Sequence, residues 1–161
     1  MANGRNPKSR GSGRDAGRFI AIPLSVLDSV NYQQLSANAR SLLLEVARQY
    51  TSKNNGRLLL SRAYLIKRGW SSNDMIFKGK KELLDGGFIY ETVKGHRPNK
   101  ASWYAITWQT IDKLEGYDYG ALKGFRQGAY QDKLQIKNNL VKPSGGAEVG
   151  EIAPPQGISR V

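Results

Sequence analysis

The side chains best suited to molecular recognition cluster on one predicted helix, at about 72–85: Ser72, Asn73, Met75, Lys78 and Lys81. A carboxamide such as that of Asn73 can pair bidentately with adenine, and a lysine ammonium group can donate to guanine or to a phosphate. An apolar side chain such as that of Met75 can contact a thymine methyl group. These residue types therefore point to recognition of base edges and phosphates.

The helix that positions these residues is predicted from its apolar spacing. Ile76, Gly79 and Leu83 recur at i, i+3 and i+7, so they would face the core and leave the recognition residues on the outer face. The small Gly79 would let this helix cross close to another helix, at some cost in helix propensity. Ser71 or Ser72 would cap its start, and Gly86-Gly87 would end it.

The neighbouring elements supply further polar and basic side chains. A shorter helix, capped by Ser61, carries three candidates for positioning a phosphate backbone: Arg62, Tyr64 and Lys67. Alternating patterns predict strands at 88–93 and 103–108. The hairpin between them has polar and charged residues at and beside its tip: Lys94, His96, Arg97, Asn99 and Lys100. The same alternation assigns Tyr104, Ile106 and Trp108 to the core rather than to a base-stacking platform.

The rest of the predicted domain is helical with one more strand. An apolar stripe over 39–50 predicts a longer helix with Ser36 as its N-cap, and Pro23 suits the start of a short helix at 24–30. The loop that follows contains Asn54-Asn55-Gly56, residue types that tolerate positive φ. Residues 57–60 fit a small strand, and Thr110 is expected to cap one more helical turn at 111–114. The predicted fold class is α+β.

The order of these elements resembles the winged helix-turn-helix family, and most of all the short modules of phage and plasmid replication initiators and regulators. The resemblance rests on LSxxAxxLL, a polar loop, LxxSxxxLxxxGWS, a helix containing KELLxxGFI and a β-hairpin, over about 35–108. It implies a three-helix core with a small antiparallel β-wing, in which 72–85 is the recognition helix for the DNA major groove. It also implies that the wing, at about 95–100, lies on the backbone or in the minor groove, and that strand 57–60 pairs with it. The doubled Ser71-Ser72 departs from the family by making the turn longer.

Composition favours a polyanionic partner and disfavours several other classes. The 161 residues include 25 Lys and Arg against 13 Asp and Glu, a net charge of +12. The absence of cysteine excludes disulfides and thiolate metal sites. No apolar run approaches the roughly 18 residues of a membrane span, and the N-terminus has no secretory apolar region. We therefore expect a soluble protein of the bacterial cytoplasm or nucleoid that has no membrane partner.

Catalysis is not expected. His96 is the single histidine and lies on a charged hairpin tip, and the acidic residues are scattered singly. The sequence contains no GxxxxGK[ST] or GxGxxG phosphate loop after a strand. We therefore predict a protein that is not an enzyme and that has no cofactor or metal site.

Two flanking segments complete the organisation, with the domain at 19–114. Residues 1–18 are predicted to be disordered, and their basic residues form either a DNA-binding arm or a merely flexible terminus: Arg5, Lys8, Arg10, Arg14 and Arg18. Residues 115–161 form a Gly/aromatic and then Gly/Pro-rich tail, predicted to be mostly flexible. The aromatic stretch 117–130 either packs on the domain or a second subunit, or folds on a protein partner; packing is the favoured alternative.

The sequence thus predicts a double-stranded DNA-binding protein, a transcriptional regulator or replication-associated factor of a mobile element or bacterium. Many modules of this kind act as dimers, so a homodimer is possible here. Two alternatives remain. The domain is a protein-interaction module that has lost DNA reading, or it binds structured RNA through shape and charge.

Overall fold

The computed structural model describes residues 17–96 and 98–132 and has the predicted α+β class. Its helices are α1 (Leu24–Leu27), α2 (Val30–Gln34), α3 (Ala37–Ala47), α4 (Arg62–Ile66), α5 (Asn73–Asp85) and α6 (Ala121–Gly124), with a 3-10 turn at Ala129–Gln131. Its strands are β1 (Leu58–Leu59), β2 (Ile89–Val93) and β3 (Trp103–Ile106). Five residues predicted to bind DNA lie outside the described ranges: Arg5, Lys8, Arg10, Arg14 and Arg97. The predictions for 133–161 lie outside them as well.

Helices α3 and α5 pack closely, as the sequence predicts. A Cβ atom added at Gly79 would lie 3.3 Å from Leu42 Cδ2 and 3.5 Å from Ala39 Cα, so the absent side chain permits the close crossing. Ser36 caps α3, because its hydroxyl accepts a hydrogen bond from Ala39 N. Glu82 of α5 accepts hydrogen bonds from Ser36 N at 2.8 Å and from Ser36 Oγ at 2.9 Å. The two helices are thus joined by both apolar packing and a shared cap.

The three strands form one antiparallel sheet in the order β1-β3-β2. Leu58 pairs with Tyr104, and Ile89 pairs with Ile106, so the central strand β3 has a partner on each side. The pairing of β2 with β3 shifts register between Glu91 and Val93. Beyond the strands, His96 and Lys100 exchange two backbone hydrogen bonds of 2.9 Å, which close the hairpin near its tip. Tyr104, Ile106 and Trp108 are buried, as the alternation predicts.

The predicted helical turn at 111–114 is not present. The fully buried Asn55 forms hydrogen bonds with this segment, which therefore does not adopt a helical turn. Its side-chain amide donates to Thr110 O at 2.8 Å, and its backbone N–H donates to the carboxylate of Asp112 at 2.7 Å. Asp112 N in turn donates to Asn55 O. The backbone groups of this segment that a helical turn would have paired locally are thus paired with Asn55.

The short helix predicted at 24–30 is divided in two. Ser29 ends the first piece and caps the second, since its hydroxyl donates to Val26 O at 2.7 Å and accepts from Tyr32 N at 3.2 Å. A serine at this position favours a cap over the helix interior, because its side chain competes for local backbone groups. The result is α1 and α2 in place of one helix.

The segment 115–132, assigned to the tail from sequence, packs on the domain. Tyr130 is buried, and its ring stacks on Phe88 with a centroid separation of 6.0 Å. Asn31 donates to Gly86 O at 3.1 Å and to Asp132 O at 3.0 Å, which ties α2 to both the end of α5 and this segment. Packing of the aromatic stretch on the domain is thus the alternative that the structure adopts. In the described ranges, no helix is long and apolar enough to cross a membrane.

Candidate nucleic-acid interface

An open groove of about 470 Å³ lies between the first turns of α4 and α5 and the hairpin β2–β3. We call it the α5–hairpin groove. Its polar and aromatic lining comes from three separate elements: Arg62, Asn73, Phe77, Lys80, His96 and Lys100. Among the residues that the structure describes, no Asp or Glu lines it. The groove is therefore a concave surface with cationic walls.

The floor of the groove is formed by Tyr104 of β3 and remains neutral at physiological pH. Burial raises the pKa of Tyr104 to about 12, a shift opposed by a hydrogen bond with Ser102 and supported by the nearby Glu91. Its hydroxyl donates to Glu91 Oε1 at 3.2 Å. The fixed charges of the groove therefore come from its walls.

Helix α5 presents two different exposed surfaces. Asn73, Phe77 and Lys80, at i, i+4 and i+7, line the α5–hairpin groove. The other surface, the α5 ridge, consists of two i,i+4 ion pairs: Lys78 with Asp74 at 2.8 Å, and Lys81 with Asp85 at 2.9 Å. The hydrogen bond that each lysine donates to its aspartate, together with the negative charge of that aspartate, raises the pKa of the lysine. Lys78 and Lys81, both predicted to bind DNA, thus lie on a surface whose lysines are matched by carboxylates.

Asn73 and Arg62 are joined at the mouth of the groove. Arg62 Nε donates to Asn73 Oδ1 at 2.6 Å, a bond that fixes the start of α4 against the start of α5. A carboxamide oxygen has two lone pairs and its nitrogen carries two N–H groups, so Asn73 retains the capacity for further hydrogen bonds. The arrangement holds the amide and the guanidinium side by side at an exposed edge.

Four other residues predicted to bind DNA lie outside the lining of the groove. Ser72 is the N-cap of α5, and its hydroxyl accepts from Met75 N. Met75 is partly exposed, but it lies about 160° around the helix axis from Phe77, away from the groove. The ring of Tyr64 packs against the core and its hydroxyl is buried, so that hydroxyl does not face solvent. Lys67 follows α4 as its exposed C-cap residue.

The hairpin side of the groove is held by Asp118, which is not among the predicted site residues. The carboxylate of Asp118 accepts from Lys94 N at 2.6 Å and contacts Lys100 Nζ at 3.4 Å. The backbone hydrogen bond from Lys94 lowers the pKa of Asp118; burial opposes this shift, and Lys100 adds smaller lowering contributions. Asn99 and His96 are exposed near the tip. Arg18, at the start of the described chain, donates to Tyr50 O at 3.0 Å.

Phe77 and Lys80 line the groove but are not among the residues that the sequence predicts to bind DNA. Their signal was present, since counting four and seven residues on from Asn73 gives one helical face. The position of the hairpin, which decides which face borders the groove, depends on tertiary packing. Lys80 is half-buried in the groove, and no described carboxylate forms an ion pair with it.

No group of three His, Asp or Glu residues that could hold a metal ion occurs within 17–96 and 98–132. Comparison with known proteins finds no matching family model, no matching curated protein and no matching solved structure.

Proposed function

We propose that this domain is a winged helix that binds double-stranded DNA, with α5 toward the major groove and the hairpin β2–β3 as the wing. The observation that carries the proposal is the α5–hairpin groove, whose walls bear Arg62, Lys80, His96 and Lys100 and, among described residues, no carboxylate. The order of helices and strands supports this proposal, because a winged helix contacts duplex DNA with a helix and a neighbouring hairpin. Regulation of transcription or replication for a mobile element or bacterium is the role we infer.

The physical case is electrostatic and geometric. An α-helix with its side chains is about 10–12 Å across, which matches the width of the B-DNA major groove. In such a pose Arg62, Lys80 and Lys100 neutralise phosphates, and release of condensed counterions drives binding. Lys100 contacts Asp118 only loosely, at 3.4 Å, so a phosphate can compete for its ammonium group.

A second candidate function has its own supporting observation. Helix α5 carries three lysines and three acidic residues, so its formal charge is zero. The α5 ridge adds two ion pairs beside the exposed ring of Phe77. A surface of mixed charge with an apolar side chain suits a protein partner, so a protein-interaction module is the alternative. The two proposals differ in whether the α5–hairpin groove or the α5 ridge is the main contact surface, and Phe77 lies at the border of the two.

The test compares Lys80→Ala with Lys78→Ala in the full chain, with binding measured by fluorescence anisotropy on a random-sequence duplex pool at several salt concentrations. Each variant removes one positive charge from α5, so the two are matched in net charge. We expect Lys80→Ala to weaken binding and to reduce the salt slope, d log K/d log[salt], by about 1. Lys78→Ala should change the slope less, because its ammonium group already has a carboxylate partner.

Two outcomes contradict the proposal. Absence of duplex binding at low salt, despite a net charge of +12, would exclude DNA as the partner. Equal effects of the two substitutions would show that the protein responds only to total charge and that the groove is not the interface. If duplex binding through the groove is found, selection and sequencing of the retained duplexes distinguish a sequence-specific DNA-binding protein from an architectural one.

A further inference from the structure

Phe77 is not part of the hydrophobic core that the described residues form. It lies in the middle of α5 with 62% of its surface exposed, whereas the core side of the helix is formed by Ile76, Gly79 and Leu83. Solvent exposure of an aromatic ring at the centre of a helix gives the fold little stability, because apolar side chains stabilise in proportion to the surface they bury. Its location is at the edge of the α5–hairpin groove, next to Asn73 and Lys80 on the same helical face.

The surroundings of Phe77 favour a nucleic acid over an apolar protein surface. Arg62, Lys80, His96 and Lys100 line the same groove, and no described Asp or Glu lines it. A polyanion that enters this groove brings phosphates to the Arg and Lys side chains and base edges to the helix between them. The major-groove edge of a base pair offers one apolar group, the C5 methyl of thymine, and the other groups are hydrogen-bond donors and acceptors.

We propose that Phe77 determines sequence specificity by contacting a thymine methyl group, so that the preferred sites contain a thymine at a fixed position. This inference rests on the proposed DNA-binding function. It assigns the apolar contact to Phe77 and not to Met75, which lies on the other side of α5. Asn73, one helical turn before Phe77, then faces the neighbouring base pair.

The experiment replaces thymine by deoxyuridine, one position at a time, in the duplex selected by the full-length protein. This change removes the methyl group and leaves the hydrogen-bonding edge intact. At the contacted position we expect the dissociation constant to rise roughly three- to fivefold, because the burial of one methyl-sized apolar group is lost. Phe77→Ala should bind the thymine duplex more weakly and should no longer distinguish thymine from deoxyuridine there.

Met75→Ala is the matched control, since it truncates another exposed apolar residue of the same helix. It should retain full sensitivity to the deoxyuridine substitution. Circular dichroism checks that Phe77→Ala is folded, which its exposure leads us to expect. Wild-type protein that ignores deoxyuridine at every thymine, or sensitivity that persists in Phe77→Ala, would overturn the inference while DNA binding itself still stood. Wild-type protein that binds no duplex at low salt would overturn both.

Discussion

Replacement of Asn55 by alanine should be among the most destabilising single changes in the domain. Asn55 has no exposed surface, and its side chain bonds to one stretch more than fifty residues later, 106–110. The amide nitrogen donates to Ile106 O at 3.0 Å and to Thr110 O at 2.8 Å, and the amide oxygen accepts from Ile106 N at 2.8 Å. Asn55 therefore holds the loop before β1 against the end of β3.

The size of the effect follows from what each lost bond leaves behind. Ile106 is buried, so alanine at 55 would leave both its N–H and its carbonyl without a partner, at about 1–3 kcal/mol each. Thr110 is exposed, so water can replace the bond to its carbonyl and the loss there is smaller. The expected decrease in the free energy of unfolding is about 3–5 kcal/mol, a large part of the roughly 5–15 kcal/mol that stabilises a typical domain.

Urea denaturation measures this change, with Asn54→Ala as the control. Asn54 also bonds through both ends of its amide, to Gln49 O and to Thr51 N at 2.8 Å each, but in an accessible loop where water can replace these bonds. We expect a loss of about 1 kcal/mol or less for the control. If both variants lost the same free energy, the reasoning about buried partners would be refuted.

Asn55→Asp gives an independent check through pH. The introduced carboxyl keeps an acceptor for Ile106 N but faces carbonyl oxygens, and burial would raise its pKa in the folded state. A raised folded-state pKa means that its stabilising contribution is present at low pH and is lost as pH rises through that pKa. This variant should therefore become less stable from acidic toward neutral pH. A flat profile would contradict the assigned geometry.

Two further predictions concern the C-terminal segment. Gly87→Ala should lower the melting temperature more than Gly69→Ala. Both glycines have positive φ, at +73° and +88°, but only at Gly87 would the new Cβ approach another segment, 2.6 Å from Ala129 O. Equal decreases in melting temperature would show that the C-terminal segment does not pack there in solution. For Asp118, whose folded pKa is lowered, the stabilising contribution is present above its unfolded pKa of about 3.9 and is lost as pH falls through the folded value. Asp118→Asn should flatten the decrease in unfolding free energy below about pH 4, and an unchanged acid profile would show that this carboxylate does not stabilise the hairpin.

The helices were predictable because their signals are local. Ser36 and Ser61 each cap a helix as the sequence predicts, and Ser72 is the one of the two predicted candidates that caps α5, since a cap depends on residues only three positions apart. The buried face of α5 was predictable for the same reason, from helical spacing alone. The ion pairs of the α5 ridge could also be predicted from their i,i+4 spacing, although Lys78 and Lys81 were predicted to bind DNA.

What the sequence left undetermined depends on contacts between distant segments. The turn expected after Thr110 is replaced by bonds from Asn55, more than fifty residues earlier, and no local pattern signals such a partner. The segment 115–132 has no helical or strand periodicity, yet Tyr130 packs on Phe88. The packing of its aromatic residues depends on the shape of a core formed by distant residues, so it cannot be predicted from the local sequence.

In the proposed complex, the fold determines which face of α5 lies against DNA. Successive residues of an α-helix are about 100° apart, so the α5 ridge and the groove face differ by only one residue position. If the ridge faced the duplex, Asp74 and Asp85 would stand near phosphates, and their repulsion would offset the attraction of Lys78 and Lys81. The groove face brings Lys80 forward without an acidic neighbour in the described lining. Electrostatics therefore favours a pose rotated by one residue from the one that the sequence suggested, with Asn73, Phe77 and Lys80 toward the bases.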